Sequence, residues 1–334
     1  MGDSMEVSAP TRILITGISG FLGGYLVEQC RARYPGATLF GVSRKTDSQR
    51  LTPALNGVTL IEADITHQDQ MRDALARSQP GWVFHLAAQS SVAASWADPA
   101  ATLRINAGGA VQLFEALRAE QMSPRVVLLG SGEQYGQVRP EENPIHEEVP
   151  FRPINPYGVS KSAQDLYGYQ YFVAYALPVL RVRLFNSFGP RQADTFVVAN
   201  FARQIALIEQ GRMEPILSVG NLQAQRDFLP VADVAGALLA VAERGQPGQA
   251  YNIGSGQARS IGEILDMLLA HSTMSIRVRQ DPARFRPADI QRLVADRGRL
   301  RSHTGWKPTI EVEDAIEQTL NYWRATLVNA YTQA

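Results

Sequence analysis

Apolar residues in the first 185 positions come in short unbroken runs that alternate with amphipathic stretches. The runs predict buried strands at 12–16, 38–43, 58–61, 82–85, 125–130 and 178–184. The amphipathic stretches predict helices from 22 to about 34 and at 67–78, 100–120 and 156–176. Because the strands lack polar alternation, both faces of their sheet must be covered, which is typical of parallel sheets. The alternation therefore predicts an α/β fold with a doubly wound parallel sheet.

The pattern changes after residue 186. Residues 186–195 have the composition of a loop. The spacing beyond them predicts helices at 196–210, 231–244, 260–271 and 311–329, and short strands at 215–219 and 249–253. We therefore expect a smaller α+β lobe, formed by 187–245 and 258–330, packed on a first domain of 11–186. Residues 246–257 are expected to return to the sheet of that domain.

Composition narrows the classes of partner. The 334 residues include 32 basic and 32 acidic side chains, so no general field attracts nucleic acid or an anionic membrane. Residues 1–10 lack the apolar core of a signal peptide, and no run reaches the ~18 apolar residues that span a bilayer. The single cysteine, Cys30, lies in an apolar-periodic stretch and is expected to be a buried, reduced thiol. We expect a cytoplasmic protein with no nucleic-acid or membrane partner.

A glycine-rich turn joins the first strand to the helix that follows it. Gly17, Gly20 and Gly23 stand at its first, fourth and seventh places. Missing side chains let the backbone approach a pyrophosphate, and the helix N-terminus offers N–H groups and a positive dipole end. In this strand–turn–helix context the spacing predicts a Rossmann dinucleotide-binding domain. We expect the cofactor to contact Gly17, Ser19, Gly20, Phe21, Leu22 and Gly23.

The ends of the second and third strands bear on which dinucleotide binds. Where NAD-preferring domains carry an acidic residue, this chain has Arg44 and Lys45. A cation there accepts a 2′-phosphate, which favours NADP(H) with NAD(H) as the alternative; otherwise both residues are solvated turn residues. Asp64 could accept from the adenine amino group, with Ile65 against the ring. Alternatively, Asp64 caps the next helix.

Small residues follow the fourth strand. Leu86, Ala87 and Ala88 would let the cofactor's ribose pass close to the backbone. His85, just before them, is expected to be an ordinary strand-end residue with its hydrogen bonds satisfied. No metal site is predicted.

Tyr157 and Lys161 stand four residues apart at the start of a predicted helix. This spacing puts them on one face, roughly 5–6 Å apart at Cβ. A tyrosine ionises near ~10, and a neighbouring ammonium is expected to lower that pKa and assist proton transfer. Ser131 ends the fifth strand, where ligands of parallel sheets bind, and could donate to the same substrate oxygen. In this context an oxidoreductase site is favoured over a surface Tyr–Lys pair.

Several motifs together resemble the extended short-chain dehydrogenase/reductase family, in its nucleotide-sugar branch, over about residues 11–325. They are TGISGFLG (16–23), HLAAQSSV (85–92), SGEQYG (131–136), YGVSK (157–161), RLFNSFGPRQ (183–192), QRDFLPVADV (225–234), YNIGSG (251–256) and RPADI (286–290). The resemblance implies that Tyr157 is the acid/base, that Lys161 modulates it and binds the ribose, and that Ser131 polarises the carbonyl. It also implies that Asn106 supports the lysine through water.

The family often pairs its two long helices, here 100–120 and 156–176, in a homodimer. Tyr167, Tyr171 and Tyr175 could serve that face, or could pack within one subunit.

An anion site is indicated by eight arginines between 277 and 301, because arginine forks suit diphosphates. The resemblance assigns Arg286, Arg226 and Asn186 to the diphosphate. It places the nucleotide base near Val197 and the strand around 217–219, and the sugar near Gln89 and Ser90. The C-terminal half is most similar to GDP-6-deoxy-4-keto-D-mannose reductases, and nearly as similar to GDP-mannose 4,6-dehydratases. Both use a GDP-sugar.

Glu133 leaves the net reaction open. In the dehydratases a Thr-x-Glu follows the fifth strand and its glutamate removes the C5 proton, whereas this chain has Ser131-Gly132-Glu133. The first hypothesis is NADPH-dependent reduction of the C4 ketone of GDP-4-dehydro-6-deoxy-D-mannose to GDP-D-rhamnose, with Glu133 kept in the site. The second is GDP-mannose 4,6-dehydration with NADP recycled. A third, a non-catalytic dinucleotide sensor, is disfavoured because Tyr157 and Lys161 are both present.

Overall fold

The computed structural model describes residues 9–44, 53–285 and 290–332. Its strands are β1 (Arg12–Thr16), β2 (Thr38–Ser43), β3 (Thr59–Glu62), β4 (Trp82–His85), β5 (Arg125–Ser131), β6 (Val179–Leu184), β7 (Asn186–Phe188), β8 (Ile216–Val219), β9 (Gln225–Pro230), β10 (Ala250–Ile253), β11 (Ala258–Ser260), β12 (Arg277–Gln280) and β13 (Arg292–Leu293). Its helices are α1 (Phe21–Arg33), α2 (Gln68–Ser78), α3 (Val92–Ala97), α4 (Pro99–Leu103), α5 (Gly109–Ala119), α6 (Pro156–Tyr175), α7 (Val197–Glu209), α8 (Val231–Arg244), α9 (Ile261–Ala270), α10 (Gly298–Thr304) and α11 (Val312–Thr332).

Seven parallel strands form the main sheet, in the order β10-β6-β5-β4-β1-β2-β3. The order reverses beside β1, which has β2 on one side and β4 on the other. Ligands of open α/β sheets bind at the carboxyl ends of the strands at such a switch point. The predicted doubly wound Rossmann architecture is confirmed. β10 extends the sheet beside β6, as the sequence led us to expect of residues 246–257.

Two helix layers cover the main sheet. α2 and α5 pack on one face, and α1 and α8 share an apolar core on the other. The placement of α8 differs from the predicted domain boundary, which assigned residues up to 245 to the second lobe. Val234, Leu238 and Val241 are fully buried and pack with Leu26 and Val27 of α1, so this helix belongs to the main sheet.

The smaller lobe surrounds a separate core. β9 lies between β11 and β13 and also pairs with β7, while β8 pairs with β12. Phe201 of α7, Ile264 of α9 and Ile316 of α11 meet in its interior. Residues 186–188, expected in a loop, form β7. The strand β12 was not predicted because its residues, RVRQ, are all exposed and carry no apolar pattern.

The predicted helix at 100–120 is not continuous. A π-helical turn, Arg104–Gly108, separates α4 from α5. Such turns occur often at functional sites, and this one holds a buried asparagine, Asn106, near the site described below. Within the part of the chain that the structure describes, no helix has both the length and the apolar character needed to cross a membrane.

Candidate active site

The glycine turn is held by main-chain contacts. Gly17 has a φ of 69°, in the left-handed region that favours glycine, and a Cβ there would lie 2.7 Å from Cα of Ala87. Its N–H donates to the carbonyl of Val42 at 2.9 Å. At Gly23 a Cβ would lie 2.0 Å from the carbonyl oxygen of Ile18. Two of the three glycines are therefore required by the close approach of the turn, β4 and α1.

The N-terminus of α1 can accept an anion. Gly20 is its N-cap, is exposed, and offers no side chain to the first N–H groups of the helix, which include those of Phe21 and Leu22. Ser19 joins the turn to the end of β2 through a 2.7 Å hydrogen bond between its hydroxyl and that of Ser43. Arg44 follows directly and is exposed. This donor set, an uncapped helix end and a nearby cation, fits a phosphorylated dinucleotide.

Asp64 closes a turn ahead of α2. Its Oδ1 accepts from the N–H and the hydroxyl of Thr66, at 2.9 and 2.8 Å. Burial opposes ionisation, but these hydrogen bonds outweigh it and lower the pKa of Asp64, and the charge of Arg44 acts in the same direction. The N-cap of α2 is His67, so Asp64 is not its cap. The side chain of Ile65 is buried against Gly109, which leaves little of it for an adenine ring.

The end of β4 is fastened to β1. The N–H of Leu86 donates to the carbonyl of Thr16, and that of Ala87 to the Thr16 hydroxyl, at 3.2 and 3.3 Å. Nδ1 of His85 is 2.9 Å from the same hydroxyl. Among the described residues, Nε2 of His85 has no hydrogen-bond partner, so the expected full satisfaction of this histidine is wrong for one nitrogen. Burial and then the charge of Lys161 lower the pKa of His85 to about 3.

The structure brings Ser131 and Tyr157 together. Ser131 ends β5 and Tyr157 lies in the first turn of α6; both are buried, and the Ser131 side chain is close enough to act on the pKa of Tyr157. The start of α6 is fixed by its N-cap, Asn155, whose Oδ1 accepts from the N–H of Gly158 at 2.7 Å. The two hydroxyls can thus act on one substrate oxygen at the carboxyl end of β5.

The pKa of Tyr157 moves opposite to our expectation. Burial raises it to about 12; the hydrogen bond with Ser131 opposes that rise and the charge of Glu133 adds to it. The expected lowering by Lys161 is wrong for this arrangement. The ammonium of Lys161 instead donates to the carbonyl of Leu129 at 2.8 Å and to Oε1 of Gln164 at 2.7 Å. Tyr157 therefore remains a protonated phenol at neutral pH.

Glu133 braces the helix that carries Tyr157. Its Oε2 accepts from Nδ2 of Asn155 at 2.8 Å, and its N–H donates to the hydroxyl of Ser131 at 3.2 Å. Asn155 in turn caps α6. The carboxylate is half-buried, and one of its oxygens is already bonded to an amide.

Asn106 connects the loop after β4 to α6. Its Nδ2 donates to the carbonyl of Gln89 at 3.0 Å and to the hydroxyl of Ser160 at 2.9 Å, while its Oδ1 accepts from the N–H of Gln89 at 2.8 Å. It thus reaches the residue before Lys161 directly. The Gln89 side chain donates to Thr102 and accepts from the N–H of Ser91, so it is engaged within the loop; Ser90 is exposed.

Comparison with known proteins identifies the family of the chain. The model of the GDP-mannose 4,6 dehydratase family matches residues 14–319. The chain belongs to this family. The GDP-6-deoxy-D-mannose reductase of Pseudomonas aeruginosa is 37% identical over 314 residues, which cover 94% of this chain and 97% of that protein. GDP-mannose 4,6 dehydratase 2 of Arabidopsis thaliana is 31% identical over 338 residues, covering 96% and 88%.

A solved structure of a relative extends the match to the fold. The structure of RMD from Pseudomonas aeruginosa complexed with NADPH has a TM-score of 0.81 and 35% identity, over 95% of this chain and 100% of that one. The similarity to the extended short-chain dehydrogenase/reductases that the motifs indicated is confirmed.

The residues predicted to bind the substrate lie on and near β7, β9 and α7. Asn186 begins β7 and pairs in register with Phe228, and Val197 begins α7. Arg226 is buried in β9, where its guanidinium donates to the carbonyl of Ile290 at 2.6 Å. Arg286 lies outside the described residues. The assignments of these residues to the substrate remain predictions.

Two residues that matter for the site were not predicted. Gln164 holds Lys161 from the next turn of α6, and Asn155 links Glu133 to the helix start. A polar residue three positions after Lys161, on the same helix face, was the available signal for the first. The hydrogen bond of Asn155 to Glu133 spans 22 residues and had no signal in the spacing.

Proposed function

We propose that the protein reduces the C4 ketone of GDP-4-dehydro-6-deoxy-D-mannose with NADPH, giving GDP-D-rhamnose. The observation that carries the proposal is the buried Tyr157 phenol, which lies close to Ser131 at the carboxyl end of β5. A reductase needs an acid there, because a ketone that accepts hydride becomes an alkoxide. The similarity to a GDP-6-deoxy-D-mannose reductase supports the same reaction.

The cofactor in this proposal is NADP(H), with NAD(H) as the less favoured alternative. The N–H groups at the start of α1, next to Gly20, would hold the pyrophosphate, and Arg44 the 2′-phosphate. Asp64 and the Leu86–Ala88 segment would line the adenosine and ribose, and Lys161 would bind the nicotinamide ribose. When bound, NADPH supplies the hydride. The relative complexed with NADPH supports this choice.

Tyr157 supplies the proton. Because burial raises the pKa of its phenol to about 12, Tyr157 carries its proton at neutral pH and can give it to the developing alkoxide. Ser131 would stabilise the same oxygen by hydrogen bonding. Glu133, whose negative charge also raises the pKa of Tyr157, helps to keep the acid protonated. The site is thereby arranged for proton donation.

GDP-mannose 4,6-dehydration is the second candidate. The observation that favours it is Glu133, a half-buried carboxylate close enough to Tyr157 to act on its pKa. Elimination would require that carboxylate to take a proton from C5. We place this reaction second because the Glu133 side chain already holds Asn155 at the start of α6. A non-catalytic dinucleotide sensor comes third.

Two incubations separate the candidates. The purified protein receives the 4-keto sugar with NADPH in one, and GDP-mannose alone in the other. We expect loss of one NADPH per sugar in the first, followed by absorbance at 340 nm, and a single product by mass spectrometry. Turnover of GDP-mannose in the second incubation, to which no NADPH is added, would contradict the reductase and support the dehydratase. Binding of NADPH without turnover in either would favour the sensor.

We further propose a homodimer built on α6. Leu166 and Val173 on this helix are 58% and 63% exposed, and Tyr167 and Tyr175 are also exposed. Tyr171 differs from its neighbours, because its hydroxyl donates to Glu115 within the subunit and its ring is buried. A Val173→Glu variant is expected to shift the mass measured by light scattering from two subunits to one. A single-subunit mass for the unmodified protein would contradict the dimer.

The GDP-sugar is the partner that we propose, and the cytoplasm the compartment. Balanced charge supports the absence of nucleic-acid and membrane partners. Burial raises the pKa of the Cys30 thiol to about 12, which suits a reduced, unreactive cysteine.

A further inference from the structure

Lys161 is a buried cation that has only uncharged partners. Its side chain lies inside the protein under the carboxyl end of β5, and the residue is 2% exposed. Its ammonium donates to the main-chain carbonyl of Leu129 and to the amide oxygen of Gln164. No carboxylate in the described part of the chain pairs with it. Buried cations are normally paired with an acid, so the choice of partner here calls for a physical reason.

Gln164 occupies the position from which an acid could neutralise Lys161. It lies three residues further along α6, is 1% exposed, and holds its Oε1 2.7 Å from the ammonium. The next residue, Asp165, is a buried carboxylate, but it accepts from Arg181 at 2.7 Å and from Arg183 at 2.9 Å on β6. The helix thus presents an amide to the lysine and a carboxylate to the arginines.

We propose that Gln164 is a positioning residue for Lys161: its amide oxygen fixes the ammonium beside Leu129 without adding the negative charge that would neutralise it. The remaining donor of the ammonium and its uncompensated charge are then available to the cofactor side of the site. A glutamate at this position would hold the lysine equally well in space but would pair with its charge. The test is therefore to compare the pKa of Lys161 with an amide and with a carboxylate at position 164.

The neighbours of Lys161 do not titrate near neutrality. His85 on β4 stays neutral because burial, together with the charge of Lys161, lowers its pKa to about 3. Tyr157 on α6 stays protonated because burial raises its pKa to about 12. Asp165 faces its two arginines, and the Glu133 side chain bonds to Asn155. Burial lowers the pKa of Lys161 itself to about 7, so its ionisation is separable from the others.

The experiment uses the small number of lysines in the chain. There are three, Lys45, Lys161 and Lys307, so the full-length protein labelled with ¹³C at lysine Cε gives three signals to titrate by NMR. The Lys161→Arg variant assigns the signal of interest, and the exposed Lys307 is an internal reference. Titrations compare the unmodified protein with Gln164→Glu and Gln164→Met.

We expect the Lys161 midpoint near neutrality in the unmodified protein. Gln164→Glu should raise it by at least one pH unit, a tenfold change in the protonation constant, because it supplies a counterion. Gln164→Met should lower it, because an acceptor is lost. The glutamate variant keeps the shape of glutamine and removes no existing hydrogen bond from the side-chain nitrogen, which has no partner among the described residues. It therefore preserves the packing.

The activity arm rests on the proposed function. If the reaction needs protonated Lys161, NADPH-dependent reduction is present below the pKa of Lys161 and is lost as the pH rises through that pKa. The alkaline limb of kcat/KM should then move up in Gln164→Glu and down in Gln164→Met.

Two results would overturn the inference: an identical Lys161 midpoint in all three proteins, or a midpoint in the unmodified protein at the ~10.4 of an exposed lysine. The second result comes from the unmodified protein, so it does not depend on whether the variants fold. Shifted midpoints without any turnover of the keto sugar would support the inference and contradict the reductase.

Discussion

The proposed cofactor side and the proposed substrate side of the site are held together by different kinds of contact. On the cofactor side the main chain decides: Gly17 lies against Ala87 with no room for a Cβ, and its N–H bonds to Val42. On the proposed substrate side long side chains form the distant contacts: Arg226 bonds to a carbonyl 64 residues away, and in the same lobe Arg324 bonds to Glu209, 115 residues away. Local sequence patterns predict the first kind of contact, while the second kind depends on the whole fold.

The comparison teaches where function can be altered independently. The groups that we propose to carry the reaction, Ser131 and Tyr157, lie at fixed points of a strand and a helix of the main sheet. Groups that would choose the substrate lie on the lobe of β7, β9 and α7. Changes on the first side should abolish chemistry or stability, whereas changes on the second should alter preference.

Removing the acid is the largest expected effect. The Tyr157→Phe variant keeps the ring but loses the hydroxyl whose pKa Ser131 affects. A general acid typically contributes about 10²–10⁴-fold, and we expect kcat to fall by that range. NADPH binding, measured by quenching of protein fluorescence, should change less than threefold and serves as the control. Full activity in the variant would remove Tyr157 from the reaction.

A buried ion pair tests the stability of the framework that carries the reacting groups. Asp165 joins α6 to Arg181 and Arg183 of β6 and is almost completely buried. Breaking such a pair typically costs about 3–5 kcal/mol, and Asp165→Asn should lower the free energy of unfolding in urea by about 3 kcal/mol. On the lobe, the exposed pair of Arg203 and Asp194 is the matched control. Asp194→Asn should cost about 0–1 kcal/mol.

The same variant predicts a pH dependence. Burial alone would raise the pKa of the Asp165 carboxyl, but Arg183 and Arg181 outweigh it and hold that pKa below its ordinary value. The stabilisation is therefore present above the unfolded pKa of about 3.9 and is lost as pH falls through the folded pKa. The difference in unfolding free energy between the unmodified protein and Asp165→Asn should be constant from pH 5 to 7 and shrink below about pH 4. Equal losses at Asp165 and Asp194 would show that burial does not distinguish the two regions.

Arg44 should give the smallest effect, because it is exposed. A charge-assisted hydrogen bond to phosphate is worth about 1.5–3 kcal/mol, and solvent screening brings the expected loss to about tenfold. We expect Arg44→Ala to reduce kcat/KM for NADPH by that factor and to leave kcat/KM for NADH within twofold. A parallel loss with both cofactors would mean that Arg44 supports the loop instead of the 2′-phosphate.

The sequence predicted local features of the fold well and features that depend on distant contacts poorly. The strands β1 to β6 and the helices α2 and α6 lie within two residues of their predicted bounds, because runs and periods of apolar residues are local signals. The break at Arg104–Gly108 was missed, since a π-helical turn leaves the apolar spacing almost unchanged. β12 was missed because no side chain in it is buried.

In the candidate site, too, the sequence predicted the local spacing but not the distant contacts. The spacing of Tyr157 and Lys161 predicted one helix face, but not that the ammonium would turn to Leu129 and Gln164. The arginine-rich stretch indicated a local excess of positive charge, yet Arg299 forms ion pairs with Glu147 and Glu148. These partners are about 150 residues away in the sequence, so local patterns could not predict the pairing. The direction of the Tyr157 pKa depended on burial, a property of the assembled core.

The position of β10 has a consequence for how the chain must be made. The sheet that carries Ser131 is completed only by residues 250–253, and the cover of one of its faces by α1 is completed only by α8 and Leu300 of α10. A nascent chain that has emerged as far as residue 186 would expose β6 as an open edge and leave apolar surface bare. The first domain therefore cannot finish folding on the ribosome until nearly the whole chain has been synthesised, and protection during that interval falls to whatever binds nascent chains.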